Sequence, residues 1–233
     1  MKKVFLSIAA VAAMVFTAQA QFKITPKIGY TVSKMSISDL IKDDESDIAF
    51  TSGFSAGAAF ELGIGDIFSI QPEILYTQKG FKEKYDDGNI DYHINHLEVP
   101  ILLKETFGEE DNLQFFGYVG PYLGYALGGK LKDKENGMSS TSKIKFKDEP
   151  ENYSGGDIYI SKNEVNRLDI GAYVGAGVSL PVGPGAFSLE ARYGYGFTNF
   201  RKDPDNSASR KDLKSQNRTI GVFLGYSISL RGN

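Results

Sequence analysis

The stretch "RTIGVFLGYSISL", Arg218 to Leu230, decides the fold. Ile220, Val222, Leu224, Tyr226, Ile228 and Leu230 take every second position, and Thr219, Gly221, Phe223, Gly225, Ser227 and Ser229 fill the gaps. A strand sends successive side chains to opposite faces, so one face is an apolar stripe and the other carries one ring and otherwise small groups. A water-facing surface would be consistently polar and charged. Lipid on one side and a narrow, side-chain-filled interior on the other meets both halves of the pattern.

Seven further stretches alternate in the same way, at about 23–34, 52–63, 68–79, 92–106, 113–127, 167–180 and 186–199. Phe54, Ala56, Ala58, Phe60 and Leu62 share one face of the second, and Phe187, Leu189, Ala191, Tyr193, Tyr195 and Phe197 one face of the seventh. The fourth is less clean, with Leu97, Val99, Ile101 and Leu103 on one face and Glu98, Pro100, Leu102 and Lys104 on the other. Three connections are short and turn-like, "IGDI", "FGEEDN" and "PVGPG". The other four are longer, about 35–51, 80–91, 128–166 and 200–217. The order is long, short, long, short, long, short, long. The chain therefore reads as all-β, an eight-stranded antiparallel transmembrane β-barrel with short periplasmic turns, long extracellular loops and both termini on the periplasmic side. A soluble barrel or sandwich with the stripes turned inward is the alternative.

The start of the chain gives the address. "MKKVFLSIAAVAAMVFTAQA" has Lys2 and Lys3, an apolar run from Val4 to Phe16 and an Ala18-Gln19-Ala20 site, the layout of a signal peptide over 1–20 ahead of a barrel domain over 21–233. A retained N-terminal anchor is the other reading. Without Lys2 and Lys3 the chain keeps 24 of its 26 Lys and Arg against 29 Asp and Glu, a balance of −5 that offers nucleic acid no basic face. There is no cysteine, hence no disulfide, thiolate metal site or lipid-anchoring cysteine. Past residue 20 no apolar run is long enough for a membrane helix. The expected setting is the bacterial outer membrane, with no metal and no cofactor.

Strand parity turns eight charges inward: Lys27, Glu61, Glu73, Glu98, Lys104, Asp169, Glu190 and Arg192. Unpaired charge in a narrow lumen is very costly, so these should pair, with Arg192 the best bidentate partner for a carboxylate. The network reads as a structural plug, or else as a gate or proton path. His93 and His96 in "YHINHLE" are the only histidines. A spacing of three puts them on opposite faces of a strand, unsuited to joint metal ligation, and places them at the solvent rim. His96 shares its face with Glu98, but no serine can be placed beside them, so a hydrolase has little support. Asp43, Asp44, Glu45 and Asp47 in "KDDESD" lack the glycine and terminal glutamate of an EF-hand loop and read as a solvated acidic loop. In the longest connection "KIKF" and "DIYI" could pair as a hairpin extending the flanking strands. Tyr30, Tyr76, Phe107, Tyr125 and Phe197 lie near strand ends, as interfacial girdles do, in a chain without Trp.

The segments "SIQPEILYTQKGF", "HLEVPILLK", "YVGPYLGYALGG" and "RTIGVFLGYSISL" resemble the PorT-like outer-membrane β-barrel family, a likeness running from Lys23 to Leu230. It implies a porin-like barrel; some relatives serve in protein secretion and most have no assigned activity. The last strand also resembles the signal read by barrel-insertion machinery, departing from it by ending in Leu230-Arg231-Gly232-Asn233 without an aromatic residue. The function expected is a monomeric, non-enzymatic barrel whose surface loops bind an unknown ligand or an envelope protein, or take part in envelope or secretion assembly. A narrow small-solute channel or transporter is the alternative, and an envelope lipid hydrolase a more remote one. The partners expected are outer-membrane lipid and, during assembly, the insertion machinery.

Overall fold

The computed structural model describes residues 22–37, 47–85, 87–147, 156–161, 165–200 and 215–230. The expected signal peptide and Asp43, Asp44 and Glu45 lie outside them. The strands are β1 (Phe22–Ile37), β2 (Asp47–Ala49), β3 (Thr51–Gly63), β4 (Phe68–Tyr85), β5 (Gly88–Phe107), β6 (Gln114–Glu135), β7 (Met138–Lys147), β8 (Ile158–Ser161), β9 (Leu168–Val182), β10 (Gly185–Gly196) and β11 (Ser215–Leu230). Eight of them, β1, β3, β4, β5, β6, β9, β10 and β11, pair antiparallel in turn, and β11 returns to β1 from Phe22↔Leu230 to Ile37↔Ser215. The ring is closed, which removes the free sheet edges a membrane-embedded sheet cannot leave unpaired.

The apolar stripes face out on every strand. Ile28, Phe54, Ile74, Ile101, Val119, Val174, Leu189 and Leu224, one from each wall strand, are all exposed. So continuous a band far exceeds the few hundred Å² a water-soluble surface carries, and it requires lipid around it. Among the girdle residues Tyr30, Phe107, Tyr125 and Phe197 are exposed at the band's two margins. No helix among the described residues is long and apolar enough to cross a membrane.

All four long connections are in part strand, and two of them carry long extensions of the wall. β4 and β5 stay paired up to Tyr85↔Gly88, so 80–91 continues the ladder and turns between those two residues. β6 runs on to Glu135 and turns at Asn136-Gly137, both with positive φ (49° and 80°), the backbone of a type I′ hairpin. β6, at 22 residues, has roughly ten more than a crossing needs. Sequence alternation misses these extensions because neither face meets lipid above the membrane and the apolar sign disappears. "KIKF" lies in β7 and does meet "DIYI", but in parallel, Ile144↔Ile158 to Lys147↔Ser161, and not as a hairpin.

The extracellular mouth is covered from within. β4 leaves β3 after Ser55↔Thr77 and leans across to β1, where the Gly80 N–H donates to Ser33 Oγ at 2.8 Å and Ser33 Oγ donates to the Gly80 carbonyl at 3.2 Å. Thr31 Oγ1 likewise donates to the Gln78 carbonyl at 3.2 Å.

Candidate functional site

The glycine-rich inner face has a specific use. Phe116, Tyr118, Tyr122, Tyr173 and Phe223 point into the lumen, and each lies flat over the glycine directly opposite it on the next strand. The pairs are Phe116↔Gly177, Tyr118↔Gly175, Tyr122↔Gly171, Tyr173↔Gly194 and Phe223↔Gly29. A Cβ at Gly175 would sit 2.5 Å from the Tyr118 ring, and one at Gly194 2.5 Å from that of Tyr173. Aromatic–glycine cross-strand pairs fill the lumen while letting the wall close tightly.

Three layers of charge are threaded through these rings. At the periplasmic end Lys104 Nζ donates to Glu61 Oε2 at 2.6 Å and lies 4.4 Å from the centre of the Phe116 ring. In the middle, Lys27 Nζ bridges Glu73 Oε1 (2.9 Å) and Glu190 Oε1 (2.8 Å). Arg192 grips Glu73 through Nη1 to Oε2 (2.8 Å) and Nη2 to Oε1 (3.1 Å), reaches Glu190 Oε1 at 2.6 Å, and donates from Nε to Tyr118 Oη at 3.1 Å. Gln71 Nε2 adds a bond to Glu73 Oε1 at 2.7 Å. This layer holds two cations and two carboxylates and is balanced.

The third layer lies nearer the cell exterior. Lys79, 1% exposed, is ion-paired to Glu98 Oε1 at 2.5 Å and to Asp169 Oδ2 at 3.2 Å. Tyr173 Oη donates to Glu98 Oε2 (2.7 Å), while Tyr122 Oη and Asn217 Nδ2 donate to Asp169 Oδ2 (3.3 and 3.1 Å). Lys79 is not among the eight charges turned inward above, although parity puts it on the face of Glu73 and Thr77. It brings the lumen cations from three to four against five carboxylates. Asp169 Oδ1 has no hydrogen-bond partner among the described residues. The aromatic hydroxyls and Asn217, which complete the coordination, carry no charge pattern that sequence could flag.

All eight parity-selected residues therefore lie in the lumen, in three groups: Lys104 with Glu61; Lys27, Arg192, Glu73 and Glu190; and Glu98 and Asp169 around Lys79. The histidines depart from expectation. Neither is at the solvent rim: His96 is 2% exposed inside the lumen, its Nδ1 3.1 Å from the Ile94 carbonyl, and His93 is 7% exposed on the opposite face. Two residues along the same face the β4–β5 ribbon meets the top of β3, where Thr51 Oγ1 donates to Asp91 Oδ1 at 3.2 Å. Burial, with Lys132 nearby, pushes the His93 imidazole below its ordinary range. Among the described residues no group of three His, Asp or Glu is placed to hold a metal ion. A cavity of about 20 Å³ lined by Thr25, Gln71, Ser188 and Ser227 remains near the periplasmic end, room for about one water.

A ring of this construction is an outer-membrane barrel, and the sequence agrees. The family model described as outer membrane protein beta-barrel domain matches residues 17–202, and the chain belongs to that family. Its place is the bacterial outer membrane. Among solved structures it is similar to OprG from Pseudomonas aeruginosa (12% identity, TM-score 0.49, covering 91% of this chain and 97% of that one). It is similar to Neisserial surface protein A (18%, 0.41, 90% and 97%) and to Ail, the attachment invasion locus protein of Yersinia pestis (18%, 0.40, 89% and 99%). No curated protein matches the chain.

Proposed function

We propose that the protein is a sealed, non-enzymatic barrel that serves as a rigid membrane mount for the extracellular sheet of β4 to β8, which presents a binding surface to an envelope or extracellular partner. The observation that carries this reading is the lumen itself: three layers of paired charge alternate with buried rings, and the β4–β5 ribbon crosses the mouth. An aqueous path would need those pairs to separate, and an eight-stranded barrel has no width for side chains and a water column together. The same reading takes 1–20 as a cleaved signal peptide, the chain as a monomer, and its kin as the PorT-like branch. His96 speaks against lipid hydrolysis, since it is walled inside the lumen and away from the lipid face.

Leak of a trapped solute tests the seal. Proteoliposomes holding the native protein should release a sugar of glucose size no faster than protein-free vesicles, and E73Q/R192M should raise the rate. Native leak at a porin's rate would replace the mount with a small-solute channel.

A further inference from the structure

The extension carries a charge pattern that the sealed lumen does not use. Lys130, Lys132 and Lys134 alternate along β6, and Lys143, Lys145 and Lys147 along β7, all six exposed. The ladder sets Lys130 directly opposite Lys143, so both columns lie on one face of the hairpin. Asp157, 2.6 Å from Lys145, is the one carboxylate ion-paired to them among the described residues. Asp91, opposite Lys132, is engaged by Lys82 at 3.3 Å and by Thr51. The other face of the hairpin holds Leu131, Asp133, Glu135, Ile144 and Phe146.

The register tells which way the lysines face. Leu97 and Tyr125 are paired and exposed on the lipid side, and His96 and Ala126 are paired and buried. The next pair is Asn95↔Gly128, so Leu127 is an extra residue that bulges from β6, itself exposed. After that bulge the even positions of β6, and hence Lys130, continue the lipid-facing surface upward. β7 then runs back toward the membrane, bringing Lys145 and Lys147 below the Gly129↔Ile144 pair to the level of Leu127 and Tyr125. Arg167 ties this lower end to the girdle, its guanidinium 4.4 Å from the Tyr125 ring centre and 5.0 Å from that of Phe146.

We infer that this six-lysine face is a docking surface for the phosphate-bearing headgroups of the outer leaflet, laid against them as an extension of the lipid-facing wall. Two observations single out lipid over a soluble polyanion: the lysines form one surface with the apolar band, and they descend to the aromatic margin where headgroups sit. Cations near an anionic membrane surface each add to the attraction and lose it within a Debye length.

The test uses the full chain, matured in cells, reconstituted in phosphatidylcholine vesicles with traces of spin-labelled phosphatidic acid or spin-labelled phosphatidylcholine. Electron spin resonance reads the fraction of each label immobilised at the protein. The native barrel should hold phosphatidic acid over phosphatidylcholine by about threefold or more at low salt. That preference should fall toward one in the variant with all six lysines changed to Gln, and in the native protein at about 1 M salt. The salt arm needs no substitution, and a heat-dependent gel shift shows whether the Gln variant keeps a closed barrel. A preference unchanged by the six substitutions, or none in the native protein, overturns the assignment. So does binding of soluble heparin without any lipid preference.

Discussion

Arg192 shows at the level of one residue how a charged lumen is held closed. Its guanidinium spans two carboxylates and a phenol hydroxyl and lies 4.5 Å from the centre of the Phe223 ring, so every face of the cation is occupied. Truncating one partner of such a pair strands the others without water to compensate. R192M should therefore lower stability by about 3–5 kcal/mol in urea unfolding from detergent or vesicles. E73Q/R192M should recover part of that loss, because it removes a carboxylate together with its cation. Strand parity alone turns Arg192 and Glu73 inward, since a lipid-facing stripe leaves the other face no other direction. Lys79 escapes at the last position of the third alternating stretch, where the apolar face has already ended at Tyr76 although the strand continues. The burial of His93 is out of reach for a different reason: it depends on how the β4–β5 ribbon leans against the wall, which no local pattern encodes.

At the scale of elements, the membrane-crossing parts were legible and the parts above it were not. Within lipid each strand must show an apolar face, so its period can be read; above lipid "FKEKY" and "NIDY" keep the same backbone with no such requirement. The turn residues Asn136-Gly137 are the local signal that a hairpin continues there. The parallel seating of β8 on β7 has no local signature, because its connection, unlike a tight hairpin, leaves strand direction open. One ion pair ties β7 to the residue just before β8. The Lys145 ammonium, bonded to Asp157, holds that carboxyl below the usual carboxylate range. A carboxyl lowered on folding contributes above its unfolded pKa and loses that contribution as pH falls through the lowered value. The Asp157 carboxyl carbon should thus titrate by NMR below an ordinary aspartate, and K145Q should return it to the ordinary range. An ordinary midpoint in the native chain would mean that the contact does not persist in solution.

At the scale of the whole molecule, the apolar band, the glycine–aromatic pairs and the charge layers depend on one feature, the closure of the wall between its first and last strands. Without the β1–β11 ladder the inward charges would open to lipid or water and the rings would lose the glycines they lie on. The chain has no cysteine, so a pair introduced across that seam reports on it alone. Ile28 and Leu224 are direct partners, both exposed on the lipid side. Directly opposed residues on antiparallel strands fall within disulfide reach. The decisive measurement is oxidation of I28C/L224C in the membrane-inserted protein, followed by its mobility on a gel after boiling with and without reductant. The account predicts near-complete intramolecular cross-linking, with the cross-linked chain retaining faster mobility after boiling until reductant is added. Cysteines that stay reduced in protein inserted in the membrane would contradict the closed wall.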